Sequence, residues 1–115
     1  MYVEEIGENK LVELLTETIR NSGVNVCSPN TKIVVPLGDD AASWESPAET
    51  SVLTTDALVE SVHFDLKKTD WNDLGWKIIA VNLSDIAAMG CNPTYTVVSL
   101  GLRGNLPVSG IVKLY

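Results

Sequence analysis

Basic residues are scarce: eight lysines and arginines stand against fifteen aspartates and glutamates, for a formal net charge of −7. No Lys/Arg cluster is present to displace counterions from a phosphate backbone, which excludes an electrostatic nucleic-acid binder. Long apolar runs are missing too. No stretch approaches the roughly 20 residues needed to span a bilayer. The first twenty residues carry Glu4, Glu5, Glu8, Glu13 and Glu17, so they do not form the apolar core of a signal peptide. Cysteine is reduced to Cys27 and Cys91, in neither a CxxC nor a His/Cys cluster. Both read as reduced thiols of a cytoplasmic protein. Histidine occurs once, at His63. A lone histidine is more often a surface or satisfied core residue than a ligand.

What is present is ordinary for a packed domain. Hydrophobic residues make up 45% of 115 and charged residues 20%, which suits one domain with one core and excludes disorder. Apolar residues at helical spacing from Glu8 to Ser22, ended by Gly23, predict an amphipathic helix. Lys32 to Leu37 reads as a short β-branched strand, Ala41 to Thr50 as a polar loop, and Ser51 to Asp56 as a second strand. Val59 to Leu66 reads as strand or turn. Asp70 is placed to cap a long helix, Trp71 to Met89, closed by Gly90. Thr94 to Leu102 reads as a third strand. Pro107 opens a helical pattern through Val108, Ile111, Val112 and Tyr115, and the chain stops inside it. That ending predicts a truncated chain. The element order predicts an α+β or α/β fold in two layers, and the reading adopted is α+β, a two-layer sandwich of a mixed β-sheet with helices on one face. The bare sheet face needs a cover, and a second subunit is the natural one.

Three polar clusters interrupt this pattern. Gly38-Asp39-Asp40-Ala41-Ala42 follows a strand directly; paired carboxylates there suit a hard divalent cation, and the same residues are common turn formers. Leu53-Thr54-Thr55-Asp56 ends another strand with two hydroxyls and a carboxylate, and threonine is also favoured in strands by propensity alone. The helix from Ile78 to Gly90 is apolar nearly all round, so burial on most sides is expected. It nonetheless carries Asn82 and Asp85, three apart and adjacent on one face. No Lys or Arg follows Lys77 within it to neutralise that carboxylate. A carboxylate so surrounded is costly unless it is paired or holds a metal.

Taken in order, these segments resemble the thiamine-monophosphate kinases. The resemblance rests on Gly38-Asp39-Asp40-Ala41-Ala42, Thr54-Thr55-Asp56-Ala57-Leu58-Val59-Glu60, Val62-His63-Phe64, Leu74-Gly75-Trp76-Lys77, Ala80 to Gly90, and Pro93. It runs from about Ile6 to the end of the chain. The wider superfamily includes aminoimidazole ribonucleotide synthetase, selenophosphate synthetase and a hydrogenase-maturation protein. The Val-His-Phe segment and the Asn-Leu-Ser-Asp-Ile-Ala-Ala-Met-Gly wording favour the thiamine enzyme.

The resemblance implies an N-terminal ATP- and Mg2+-binding domain over residues 1–115. Its sheet would pair into a barrel across a homodimer, with ATP and several Mg2+ ions near that interface. By position, Asp40, Thr54, Thr55, Asp56 and Asp85 match metal ligands, His63 matches a residue contacting thiamine phosphate, and Tyr115 falls near a position bordering ATP. The implied reaction transfers the γ-phosphoryl of ATP to thiamine phosphate directly. This agrees with a chain that offers no paired nucleophile and base, and hence no covalent catalytic residue. Phosphoryl transfer needs alignment and charge neutralisation more than covalent chemistry, and an acidic protein can bind two anionic substrates through cations.

Two departures stand out. The family often has glycine just before Val-His, where this chain has Ser61. The family's Gly-Gly-Asp strand, a further arginine and the C-terminal domain would all lie beyond Tyr115, so the chain alone is expected not to complete the active site. The competing readings are another ATP-dependent synthetase or maturation protein of the superfamily, and a non-catalytic dimerisation and metal-binding module.

Overall fold

The computed structural model describes residues 1–23, 32–35, 41–45 and 50–115. The elements in order are α1 (Val3–Asn21), β1 (Lys32–Val35), β2 (Ser43–Glu45), α2 (Trp71–Ala88) and α3 (Val108–Leu114). The α+β class is as expected from the sequence.

Within α1, Gly7 sits at φ 73°, ψ 169°, which interrupts the helix after its first turn. The regular helix therefore begins where the amphipathic pattern begins, near Glu8. The first turn is held from outside. The N–H groups of Val3 and Glu4 donate to the carbonyls of Leu106 (3.0 Å) and Gly104 (2.9 Å), and Val108 N–H donates to the Met1 carbonyl (3.2 Å). These bonds satisfy amides that a helix start leaves without intrahelical partners. They also bring α1 against α3. Leu11 and Leu15 of α1 meet Val108 and Ile111 of α3 in the core, and Ile111 is completely enclosed. Val3, Ile6, Leu14, Trp71, Leu100, Leu102, Leu106 and Val112 pack around this centre.

Both ends of α2 are set by local chemistry. The Asp70 carboxylate accepts from Asn72 N–H at 2.9 Å, capping the first turn. At the other end Gly90 adopts φ 70°, and the N–H groups of Gly90 and Cys91 donate to the carbonyls of Ala87 (2.9 Å) and Ile86 (3.1 Å). This is the paired closure that a left-handed residue makes possible. The crossing of α2 with α3 depends on glycine on both sides. A Cβ on Gly75 would fall 2.0 Å from the Leu114 carbonyl oxygen, and one on Gly110 would fall 2.4 Å from the Trp71 ring.

The sheet departs from expectation. Among the described residues it has two strands, β1 and β2, paired antiparallel with Lys32 opposite Glu45 and Ile33 opposite Trp44. It is not the mixed sheet read from the sequence. β2 lies inside the segment read as a polar loop, where Trp44 supplies a cross-strand neighbour for Ile33. Neither Ser51–Asp56 nor Thr94–Leu102 forms a strand within the chain. Their β-branched residues fit a sheet, but a strand also needs a partner backbone, and none pairs with them among the described residues. Their apolar side chains are left in the open, Leu53 at 91% and Val97 at 83% exposure.

The expected burial of α2 is corrected as well. Leu74 and Gly75 alone are buried along it, while Trp76, Ile79, Leu83 and Met89 are exposed. The seven-residue α3 lies against the first turns of α2, at Trp71 and Gly75. No described helix is long and apolar enough to cross a membrane.

Candidate functional site

Two of the three polar clusters meet across long stretches of sequence. Thr54 Oγ1 donates to Asp85 Oδ2 at 2.9 Å, spanning 31 positions. Asp56 N–H donates to Asn82 Oδ1 at 3.0 Å, spanning 26. Asn82 Nδ2 in turn donates to the Ile78 carbonyl one turn earlier in α2, at 2.9 Å. That bond fixes which way the Asn82 amide points: its oxygen faces the Asp56 backbone. The 54–56 segment is thus pinned to α2 at two points, on the face that the three-residue spacing of Asn82 and Asp85 defines. The sequence placed Asn82 beside Asp85 on one helix face. The structure gives it the role of holding the Asp56 backbone.

Asp56 and Asp85 are both exposed and Thr54 is half-buried. The argument that Asp85 lacks a solvated position is therefore corrected: the α2 turns that carry it are uncovered, so water can reach the carboxylate. Thr55 neighbours the cluster and is also exposed. Asp40, with the rest of the Gly38-Asp39-Asp40 motif, lies outside the described residues. Among the described residues no group of three or more His, Cys, Asp or Glu gathers in one place. The side-chain groups tied together at this junction offer oxygens, from the Asp85 carboxylate, the Thr54 hydroxyl and the Asn82 amide, with Asp56 joined through its backbone. That chemistry fits a hard divalent cation and not a soft one.

His63 occupies a tight turn and not a strand. The Val59 carbonyl accepts from both Val62 N–H (3.2 Å) and His63 N–H (2.8 Å), and Ser61 N–H donates to the Phe64 carbonyl at 2.7 Å. Closing so small a loop forces Ser61 to φ 68°, the left-handed region that glycine tolerates best. The imidazole folds back over the turn, with Nδ1 accepting from Val59 N–H at 3.0 Å. Lys77 of α2 donates its ammonium to the His63 carbonyl at 2.6 Å. An ion pair between Arg103 and Glu60, at 2.8 Å, ties the start of the turn to the segment leading into α3.

Of these residues, Glu60, Ser61, His63, Phe64 and Arg103 line an open hollow of about 900 Å3, together with Lys67, Lys68 and Trp71. The role of Lys77 and the Glu60–Arg103 pair was not foreseen in the sequence, because both join positions far apart in the chain. The motif Leu74-Gly75-Trp76-Lys77 was the available signal.

Tyr115 is placed elsewhere. Its neighbour Leu114 lies against Gly75, ten residues before Asp85, which is roughly 15 Å along the helix axis. Burial raises its phenol above the ordinary value, so it is a neutral hydroxyl near neutral pH. His63 and the acidic pair, by contrast, are both attached to α2, at Lys77 and at Asn82 and Asp85.

Comparison with known proteins gives the same family as the motifs. A thiamine-monophosphate kinase from Aquifex aeolicus (strain VF5) is 36% identical over 115 residues, covering 100% of this chain and 33% of the relative. The enzyme of that name from Bacillus subtilis (strain 168) is 38% identical over 87 residues, covering 75% and 27%. That from Escherichia coli (strain K12) is 37% identical over 97 residues, covering 84% and 27%. The chain thus spans a third or less of the length of these curated relatives. No solved structure matches it significantly. The family described as AIR synthase related protein, N-terminal domain, matches residues 38–113, which include every segment of the hollow and the acidic pair. The chain belongs to that family of AIR synthase related proteins, as its N-terminal domain.

Proposed function

We propose that the chain is the ATP- and Mg2+-binding domain of a kinase that transfers the γ-phosphoryl of ATP to thiamine phosphate, giving thiamine diphosphate and ADP. The observation that carries this reading is the junction of Thr54-Thr55-Asp56 with α2 through the Thr54–Asp85 and Asp56–Asn82 hydrogen bonds. It ties the backbone of Asp56 to the helix face that carries Asp85. The relatives, thiamine-monophosphate kinases by name, support the substrate.

In this reading Asp56 and Asp85, with Thr54, Thr55 and Asp40, hold Mg2+. Bound there, the cations neutralise the polyphosphate and the charge that develops on the transferred group. The chain's own part is positioning. Asn82 fixes the Asp56 backbone, Thr54 orients Asp85, and α2 presents both beside the turn that carries His63. His63 contacts thiamine phosphate; Mg2+ prefers oxygen and seldom selects imidazole. Tyr115 borders ATP as a neutral hydroxyl. A homodimer is part of the same reading, supported by the open apolar side chains of 52–53 and 97–98. So is a cytoplasmic setting, which the free thiol of Cys91 fits.

The test is an acceptor panel. The full gene product is incubated with Mg·ATP and, separately, thiamine phosphate, thiamine, selenide and a formylglycinamidine-type amide. ADP release with thiamine phosphate alone is the expected result. Turnover with another acceptor in its place assigns the chain to a different branch of the superfamily.

A further inference from the structure

His63 has its two ring nitrogens in unequal positions, and the difference is built by the backbone around it. Val59 N–H points at Nδ1, so Nδ1 must be the acceptor and the ring proton must sit on Nε2. The geometry that brings Val59 N–H to Nδ1 exists only while the 59–64 turn stays closed. Inside the turn it is closed by backbone bonds to the Val59 and Phe64 carbonyls, against the left-handed conformation of Ser61. One bond from outside reaches the histidine itself: Lys77 Nζ donates to the His63 carbonyl at 2.6 Å. Lys77 is half-buried and rises from the rigid helix α2, whereas His63 is exposed on a short turn. A charged donor on a fixed element, bonded to the carbonyl of a strained turn, is an anchor.

We propose that Lys77 is a positioning residue for His63, fixing the turn so that the imidazole presents Nε2–H as a hydrogen-bond donor on the wall of the hollow. Such a donor reads an oxygen acceptor, as on a phosphoryl group. Lys77 acts through the backbone of His63. The proposal rests on the reading of His63 as a substrate contact only for its functional consequence; the tautomer and its dependence on Lys77 stand apart from it.

Because His63 is the only histidine, its ring nitrogens give the only imidazole signals. Nitrogen NMR on histidine-labelled protein, at pH about 8.5 where an ordinary imidazole is neutral, reads the tautomer directly. The wild type should show the Nε2–H form alone. Lys77→Met should lose that single form and show a mixture in which Nδ1–H is populated, with Lys77→Arg restoring the wild-type pattern. A pure Nε2–H pattern in Lys77→Met, or an Nδ1–H form in the wild type, overturns the proposal. If Lys77→Met does not fold, Lys77→Leu, which also lacks the donor, is read by the same two criteria. Addition of thiamine phosphate to the full gene product then separates the two ideas. An unmoved His63 signal, with the tautomer result intact, removes the substrate contact and leaves the positioning role standing.

Discussion

At Ser61, a single dihedral angle records a conflict between side chain and backbone. A left-handed conformation costs an L-residue about 1–2 kcal/mol, and glycine escapes most of that. Glycine also gives the unfolded chain more freedom, which offsets part of the gain. Ser61→Gly should therefore stabilise the fold by a net ~0.5 kcal/mol, seen as a higher urea midpoint with unchanged slope. A lower midpoint would mean that the serine side chain makes a contact worth more than the strain. The family's frequent glycine at this place and the observed φ have one physical cause, so this position was legible as a departure from the motif. The fate of His63 was less so. Its neighbours Val62 and Phe64 suggested a strand as readily as a turn, and the turn is decided by the bonds to Val59 and by Lys77 from another element. In the full gene product, His63→Ala should raise the KM for thiamine phosphate while leaving Mg·ATP binding nearly intact. Equal loss of nucleotide affinity would contradict the assigned role.

The helices were the most readable elements, because their signals are local. The Asp70 cap, the Gly90 closure and the helical spacing of Leu11, Leu15, Val108 and Ile111 each act within a few residues. The helix crossing was not readable, since nothing in the Leu-Gly-Trp triplet says that Gly75 faces the end of α3. Gly75→Ala would set a methyl group into the Leu114 carbonyl. Backbone cannot swing aside as a side chain can, so a loss of about 1–3 kcal/mol is expected, the usual range for overpacking. Thermal melts of the variant check it, and an unchanged melting temperature would mean that α3 docks more loosely than the structure shows. The strands were half-legible. Residues 51–56 and 94–102 carry strand-forming side chains, but pairing is a property of two segments, and sequence propensity speaks for one at a time. The hairpin of β1 and β2 escaped notice for the opposite reason: Ser43–Glu45 is short, and its one strong residue, Trp44, sits among polar neighbours.

For the whole molecule, the exposed apolar surface and the acidic pair make two separate demands. Leu53, Trp76 and Val97 in the open are unfavourable for a lone domain and natural for one face of an assembly. Sedimentation of the full gene product should give a dimer, and Leu53→Asp should shift it toward monomer; a monomeric wild type at high concentration would remove the dimer from the account. The acidic pair asks for a cation. Mg2+ that binds the folded form should raise the melting temperature by mass action, and Asp85→Asn should abolish that increase. With Asp85 exposed and bonded only through Thr54 among the described contacts, the substitution should cost the metal-free protein little. The most direct measurement is thiamine diphosphate formation from ATP and thiamine phosphate by the full gene product, wild type beside Asp85→Asn, with and without Mg2+. The account predicts Mg2+-dependent product in the wild type, matched by ADP. It predicts a fall of at least about 100-fold in Asp85→Asn, or ~2.7 kcal/mol of lost transition-state stabilisation. A wild-type rate in Asp85→Asn, or no thiamine diphosphate from the wild type, would contradict it.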